Sequence, residues 1–145
     1  MRSFLVCLAM SSALGACDPT RAVSDADKAS LQQHETQWGE RSFHSYSFDY
    51  SEAQFSTSYN VQITVQADTV AEVLDLQTGQ PPAIPRTWPT IDALFHEADL
   101  IVQEGGFSVS LEYDDQFGYP TLLDVQSNNP GGGLIARSSN LQPIQ

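Results

Sequence analysis

The side chains best suited to acid–base catalysis in this chain are its three histidines, which lie far apart at positions 34, 44 and 96. A histidine acts as a general base when a carboxylate orients its ring, so His44 or His96 beside a carboxylate could serve a hydrolase. The sequence contains no Gly-x-Ser-x-Gly nucleophile turn, no His-Glu-x-x-His zinc motif and no glycine-rich phosphate-binding loop. We therefore predict no enzyme and no catalytic residue, and we keep a His/carboxylate hydrolase as the alternative.

A second possible chemistry is calcium binding, because calcium prefers several oxygen ligands and Asp114, Asp115 and Asp124 flank one predicted turn. Their spacing matches no calcium-loop motif. An aspartate at this place also commonly accepts hydrogen bonds from backbone amides of its own turn. We predict no metal and no cofactor.

The most specific pattern lies at the amino terminus, where Arg2 precedes an apolar run that continues to Leu14. The run is too short to span a membrane and is typical of a secretory signal peptide. The residues Leu14-Gly-Ala-Cys17 also resemble the lipobox of bacterial lipoproteins. This resemblance implies cleavage between Ala16 and Cys17 and acylation of Cys17. An ordinary signal peptide with a cysteine at its cleavage site is the alternative.

The predicted organisation follows from that site. Residues 1–16 are the signal peptide, residues 17–23 a tether, and residues 24–145 a single domain. More than one acyl chain anchors a protein stably, so the predicted partner is a membrane, with the domain in the periplasm of a bacterial cell envelope. Asp18 resembles the residue that retains lipoproteins of enteric-type bacteria in the inner membrane, and it implies that location here.

The composition restricts the partners of the mature chain. Removal of residues 1–16 takes away Cys7 and Arg2, which leaves no disulfide and changes the net charge from −12 to −13. Nucleic-acid binding needs clustered Lys and Arg, so we predict no nucleic-acid partner. The same charge disfavours contact of the domain with anionic lipid. Acidity that only keeps a tethered domain soluble is the simpler explanation.

The sequence predicts two amphipathic helices, over residues 25–41 and 91–104. Ser24 is placed as the N-cap of a capping box, and Thr90 caps the second helix. Trp38 is predicted to anchor the first helix on a sheet. Apolar residues at helical spacing give the second helix a core-facing stripe, and His96 and Glu97 lie off that stripe, facing water.

Alternation of apolar and polar residues predicts the strands, because successive side chains of a strand point to opposite faces. The predicted strands are residues 43–50, 59–66, 69–76, 107–114, 121–127 and, more weakly, 134–141. The first three are joined by short links and fit an antiparallel meander. The predicted fold is α+β, with a single antiparallel sheet of about five to six strands and two helices packed on one face. The opposite face is rich in Ser, Thr, Asn and Gln, and an antiparallel sheet can expose such a polar face to water.

Two segments between these elements could contact a partner. Residues 77–89 hold four prolines and cannot pair regularly, so they form a long loop that presents Arg86 and Trp88. Trp88 folded back as a lid over the core is the alternative. In the hairpin that follows, Asp115 and Gly118 supply the turn, whereas Tyr119 either packs across the hairpin or faces a partner.

The order of these features resembles the bacterial secreted and lipoprotein family known as domain of unknown function 6174, over about residues 28–141. The resemblance is carried by Trp38, Tyr46-Ser-Phe, Thr90-Ile-Asp-Ala-Leu-Phe95 and, most specifically, Tyr113-Asp-Asp-Gln-Phe-Gly-Tyr-Pro-Thr121. Members often have glycine in the first meander turn, where this chain has Ala67-Asp-Thr69. The resemblance implies a small α+β fold and no assigned activity.

From these observations we expect a lipid-anchored envelope protein whose domain is a non-enzymatic module that binds an envelope protein or another envelope component. The expected contact surfaces are the polar sheet face and the proline-rich loop. The alternatives are the hydrolase named above and an inhibitor-like or chaperone-like module, and fold alone does not decide between them.

Overall fold

The computed structural model describes residues 23–127 and 132–144. The predicted signal peptide, the cleavage site between Ala16 and Cys17, Asp18 and the tether up to residue 22 lie outside the described residues, as does most of the predicted loop after residue 127. Within the described ranges, no helix has the length and apolar content needed to cross a membrane.

Two helices and six strands make up the described chain. They are α1 (Asp25–Gly39), β1 (Tyr46–Gln54), β2 (Thr57–Gln66), β3 (Thr69–Asp75), α2 (Ile91–Glu104), β4 (Phe107–Tyr113), β5 (Pro120–Ser127) and β6 (Gly133–Pro143). Each helix precedes three strands, so the chain reads as two similar halves.

The six strands form one antiparallel sheet in the order β3-β2-β1-β6-β5-β4. The predicted α+β class and the predicted meander β1-β2-β3 are confirmed. The last strand differs from the prediction, because β6 is eleven residues long and central, between β1 and β5. Its sequence pattern looked weak because a register shift opposite Ser47 and Asp49, with Asn140 at a φ of 53°, interrupts the alternation.

The core lies between the helices and one face of the sheet. Strands β1 and β2 contribute six alternate, buried side chains to it. These are Tyr46, Phe48, Tyr50, Val61, Ile63 and Val65. The indole of Trp38 is 1% exposed and meets Tyr46 edge-on with ring centroids 5.3 Å apart, which confirms its predicted role as the anchor of α1.

Both helices begin as predicted. The Ser24 and Asp27 side chains exchange hydrogen bonds with each other's backbone amides, which is the expected capping box, and Thr90 Oγ1 accepts from the amide of Ala93. The first helix ends at Gly39, two residues before the predicted end, because the Arg41 side chain turns back and donates to the Trp38 carbonyl.

The first strand is also displaced from its predicted range. It begins at Tyr46 and continues to Gln54, so the residues expected to form a wide polar turn instead extend the β1–β2 hairpin. The hairpin closes at Phe55, which has a φ of 54° and is 78% exposed. The next reversal is the predicted one, with Ala67 and Asp68 both at positive φ, as a tight two-residue hairpin turn requires.

Candidate functional site

The proline-rich segment between β3 and α2 folds over the sheet and is fixed there by Arg86. The Arg86 guanidinium donates two parallel hydrogen bonds to the Glu52 carboxylate, with Nη1–Oε1 2.8 Å and Nη2–Oε2 2.9 Å. The Arg86 and Glu52 side chains retain 27% and 11% of their exposure. This bidentate, half-buried ion pair joins the loop to the end of β1.

Two aromatic rings enclose the same guanidinium. Arg86 Cζ lies 4.7 Å from the ring centroid of Tyr59 on β2 and 4.7 Å from that of Trp88 in the loop. The rings of Tyr59 and Trp88 meet edge-to-face, with centroids 5.4 Å apart. Trp88 is half-buried and packs against the core, as the lid alternative expects. The same side chain is the one predicted to contact a partner.

The Glu52 carboxylate receives a third hydrogen bond, from the Tyr50 hydroxyl at 2.6 Å. Burial by itself would raise the pKa of Glu52, but the hydrogen bonds from Arg86 and Tyr50 and the arginine charge outweigh burial and lower that pKa. Burial and the Glu52 bond together raise the pKa of the Tyr50 hydroxyl. Glu52 is thus an ionised carboxylate that accepts three hydrogen bonds.

A second carboxyl group, that of Glu97 in α2, interacts electrostatically with the Glu52 carboxylate. Burial, followed by repulsion from Glu52, raises the pKa of Glu97, and Arg86 opposes this only in part. Glu97 is half-buried, which corrects the expectation that it faces water. The reason is that the loop covers this side of α2, which the helical pattern could not show.

These residues line a cleft of about 300 Å³ between the loop, the end of β1 and α2. Its polar groups are Tyr50, Glu52, Arg86 and Glu97, and its apolar wall includes Trp88, Ala93 and Leu134. The cleft holds one guanidinium and two carboxyl groups whose proton affinities differ. That combination suits selective binding of a polar group attached to an apolar stem.

A second, larger cavity of about 780 Å³ lies at the C-terminal end of α1. Phe43 and Phe117 meet edge-to-face in its wall, 5.3 Å apart. Arg41, only 7% exposed, stacks on Trp38 and donates to Asp68 at 2.8 Å and to Asp92 at 3.2 Å. This ion pair joins α1, the β2–β3 turn and the start of α2.

His44 stands at the rim of this second cavity and meets the carboxylate of Asp68, with Nδ1–Oδ2 2.8 Å. Because an ionised carboxylate only accepts, His44 Nδ1 donates and the other ring nitrogen is left as an acceptor in the neutral ring. Within residues 23–127 and 132–144, no hydroxyl group forms a hydrogen bond with that ring. The geometry is that of a base oriented by a carboxylate without a serine nucleophile.

In the described ranges, no three His, Cys, Asp or Glu side chains come close enough together to hold a metal ion. Asp114 instead accepts hydrogen bonds from the amides of Gln116 and Phe117.

Comparison with protein-family models gives a match to the family of unknown function DUF6174 over residues 30–130. The chain belongs to this family. No curated protein and no solved structure matches the chain. The DUF6174 match covers the residues that line both cavities except Leu134, Pro143 and Ile144.

The string from Tyr113 to Thr121, which lies within the DUF6174 match, contains the β4–β5 turn. Asp114 rather than the predicted Asp115 accepts hydrogen bonds from the turn amides, because Asp114 is the first residue after β4. Tyr119 was expected either to pack across the hairpin or to face a partner. It is 5% exposed and packs in the core near Trp38, which is the first of these alternatives.

Two of the cleft residues, Arg86 and Trp88, were predicted from the sequence as contact residues, whereas Tyr50, Glu52 and Glu97 were not. An unpaired-looking glutamate after an aromatic strand was a usable signal for Glu52. Its pairing with Arg86 spans 34 positions, and no local pattern reports such a contact.

Proposed function

We propose that this DUF6174 chain is a lipid-anchored protein of the bacterial cell envelope whose domain is a non-enzymatic binding module. The cleft under the proline-rich loop carries the binding part of the proposal. It places an aromatic ring, an arginine and two carboxyl groups of different proton affinity around about 300 Å³. The sequence Leu14 to Cys17 supports the anchor.

The anchor is tested by Cys17→Ser in the full chain expressed in a bacterium. Acylated Cys17 holds the wild type in the membrane fraction, and the variant is expected in the soluble periplasmic fraction. Cys7→Ser, within the predicted signal peptide, is the matched control and is expected to stay membrane-bound. Equal sedimentation of Cys17→Ser and wild type with membranes would refute the anchor.

The inner-membrane location is proposed from Asp18 alone. Density separation of the two membranes should place the wild type with the inner membrane, and Asp18→Ser should move it to the outer membrane. Identical distributions of the two proteins would remove Asp18 as a sorting residue.

The binding role is tested by in vivo cross-linking from the loop. A photoreactive side chain at Thr87, which is exposed beside the cleft, should give a discrete product that Trp88→Ala weakens. The same probe at exposed Ser139 on the opposite sheet face is the control. A product at Ser139 that Trp88→Ala does not change would move the contact to the sheet face.

The His44–Asp68 pair favours a second candidate, a hydrolase in which His44 activates water at the larger cavity. Purified protein would be assayed with an activated ester and a labelled protein substrate. His44→Gln should abolish turnover, and His96→Gln, an exposed histidine of α2, should not. A wild-type rate equal to the buffer rate excludes this candidate.

A further inference from the structure

The cleft beside Trp88 contains more negative than positive charge. Arg86 is already paired with Glu52 through both of its terminal nitrogens and is enclosed by Tyr59 and Trp88. Glu97 lines the same cleft and has no hydrogen-bond or ion-pair partner among the described residues. When Glu97 ionises, Arg86 compensates its half-buried carboxylate only in part, and a charge without a direct partner in such a place is costly.

The apolar side of the cleft defines what accompanies a compensating charge. Ala93, Pro89 and Leu134 line it together with the Trp88 ring, and all four lie within the same 300 Å³ cavity as Glu97. A slender aliphatic stem fits such a wall, and a charged end group can then reach the carboxylate. The chain as a whole carries −12, which favours the approach of a cation.

We infer that the cleft binds an alkylammonium group, with the ammonium on Glu97, and the aliphatic stem along Trp88 and Leu134. A lysine side chain of a partner and a free alkylamine share this chemistry. The inference deepens the proposed function and rests on it, because it names the ligand class of the binding module. Arg86 stays in place as the scaffold that keeps Glu52 and Trp88 in position.

The test uses two probes that differ only in the terminal ammonium group, N-acetyl-lysine-methylamide, which has it, and N-acetyl-norleucine-methylamide, which lacks it. Titrated into the isotope-labelled full chain in detergent micelles, the lysine probe should shift the backbone amide signals of Ala93, Glu97 and Leu134 to saturation. The norleucine probe should bind at least about tenfold more weakly, the equivalent of about 1.4 kcal/mol. Equal binding of both probes, or no shift at these amides, overturns the inference.

Charge-neutral substitutions identify the carboxylate. Glu97→Gln should weaken the lysine probe about tenfold or more, whereas Glu104→Gln, an exposed glutamate on the same helix, should leave binding unchanged. Wild-type affinity should also rise with pH as Glu97 loses its proton, and this dependence should be absent in Glu97→Gln. Because Tyr50, Glu52 and Arg86 face Glu97 in the cleft, a pH dependence that survives in Glu97→Gln assigns the titration elsewhere and overturns the role of Glu97.

Further measurements distinguish a free amine from a protein-borne lysine, and failure of the ligand site from failure of the anchor. Equal affinity for n-butylamine and the lysine probe points to a free amine, and tighter binding of the lysine probe points to a protein-borne lysine. Shifts confined to the open sheet face would keep a binding module and overturn this ligand site. Equal membrane sedimentation of Cys17→Ser and wild type, with intact probe binding, would instead refute the anchor alone.

Discussion

Arg86 holds the proline-rich loop to the sheet, so its removal should be felt throughout the cleft. Arg86→Gln keeps a polar side chain but leaves the largely buried Glu52 carboxylate without its main partner. We expect a loss of about 1–3 kcal/mol in the free energy of unfolding, because a carboxylate that stays buried without its counter-ion is costly. Urea denaturation monitored by tryptophan fluorescence measures this, and Trp88 reports the loop directly.

Arg137→Gln is the matched control, since Arg137 is exposed on the opposite face of the sheet. Its effect should stay within about 0.5 kcal/mol, as for most surface substitutions. Equal effects of the two variants would show that the Arg86–Glu52 pair is no more than a surface contact.

Glu97 should make stability depend on pH in the opposite direction to Glu52. Burial and the Glu52 charge raise the pKa of Glu97 in the folded protein. The contribution of Glu97 to stability is therefore complete below the pKa that this carboxyl has in the unfolded chain. It is lost as pH rises through the pKa that Glu97 has in the folded protein. Glu97→Gln should therefore be more stable than wild type near pH 7, by up to about 1 kcal/mol, and equal to it near pH 4. Thermal unfolding across this pH range measures the difference.

Glu104→Gln again provides the comparison, because Glu104 is exposed and its substitution should give no such pH-dependent gain. For Glu52 the lowered pKa has the reverse consequence, with stability present at neutral pH and lost on acidification. A stability gain of Glu97→Gln that is the same at pH 4 and pH 7 would contradict the assignment.

Among the connecting elements, the β4–β5 turn tolerates substitution least. Gly118 has a φ of 77°, and a Cβ there would lie 2.9 Å from the Gln37 side chain, which itself donates to the turn carbonyls of Asp115 and Gln116. Gly118→Ala should cost about 2 kcal/mol, from backbone strain plus the displaced Gln37. Chemical denaturation measures it.

Gly79→Ala separates the two causes. Gly79 has a similar φ of 66° with no atom within 4 Å of an added Cβ, so only the backbone term of about 1 kcal/mol applies. Equal costs at the two glycines would show that contact with Gln37 does not matter.

The elements that could be predicted from the sequence are those specified locally. The helix α2 has its cap, its apolar stripe and its terminal glycines within one short segment, and its predicted bounds agree with the structure. The Ala67-Asp68 turn is likewise specified by the two strands that flank it. The interrupted alternation of β6 hides a central strand, because its partner β1 lies far from it in the sequence.

The cleft could be predicted only in part, for the same physical reason. Arg86 and Trp88 stand out because they lie in a loop that cannot pair. Glu97 looks solvent-facing in a helical pattern, and only the fold of the loop over α2 makes it half-buried. A site assembled by contacts between distant segments has no periodic signature in any one of them.

At the scale of the whole molecule, the dominant feature is charge. A net charge of −12 over 145 residues with few cations creates self-repulsion in the folded state. Adding about 0.5 M NaCl should raise the melting temperature by a few degrees, because salt screens charges more than about 10 Å apart. Calorimetry measures this shift, and the effect should shrink near the isoelectric point of about 4.2. A salt effect that is unchanged there would point to ion-specific binding.

The central position of β6 also affects the order in which the sheet folds. The β1–β6 pairing includes contacts such as Asn140 with Asp49, which are 91 positions apart, so the two halves of the sheet cannot join until the strand beginning at Gly133 has been made. Long-range pairings of this kind slow folding. Until then β1 and β5 each keep an open edge, and a nascent chain stopped before Gly133 retains both. The sheet therefore closes late, and protection of β1 amides from hydrogen exchange should be among the last to develop during refolding.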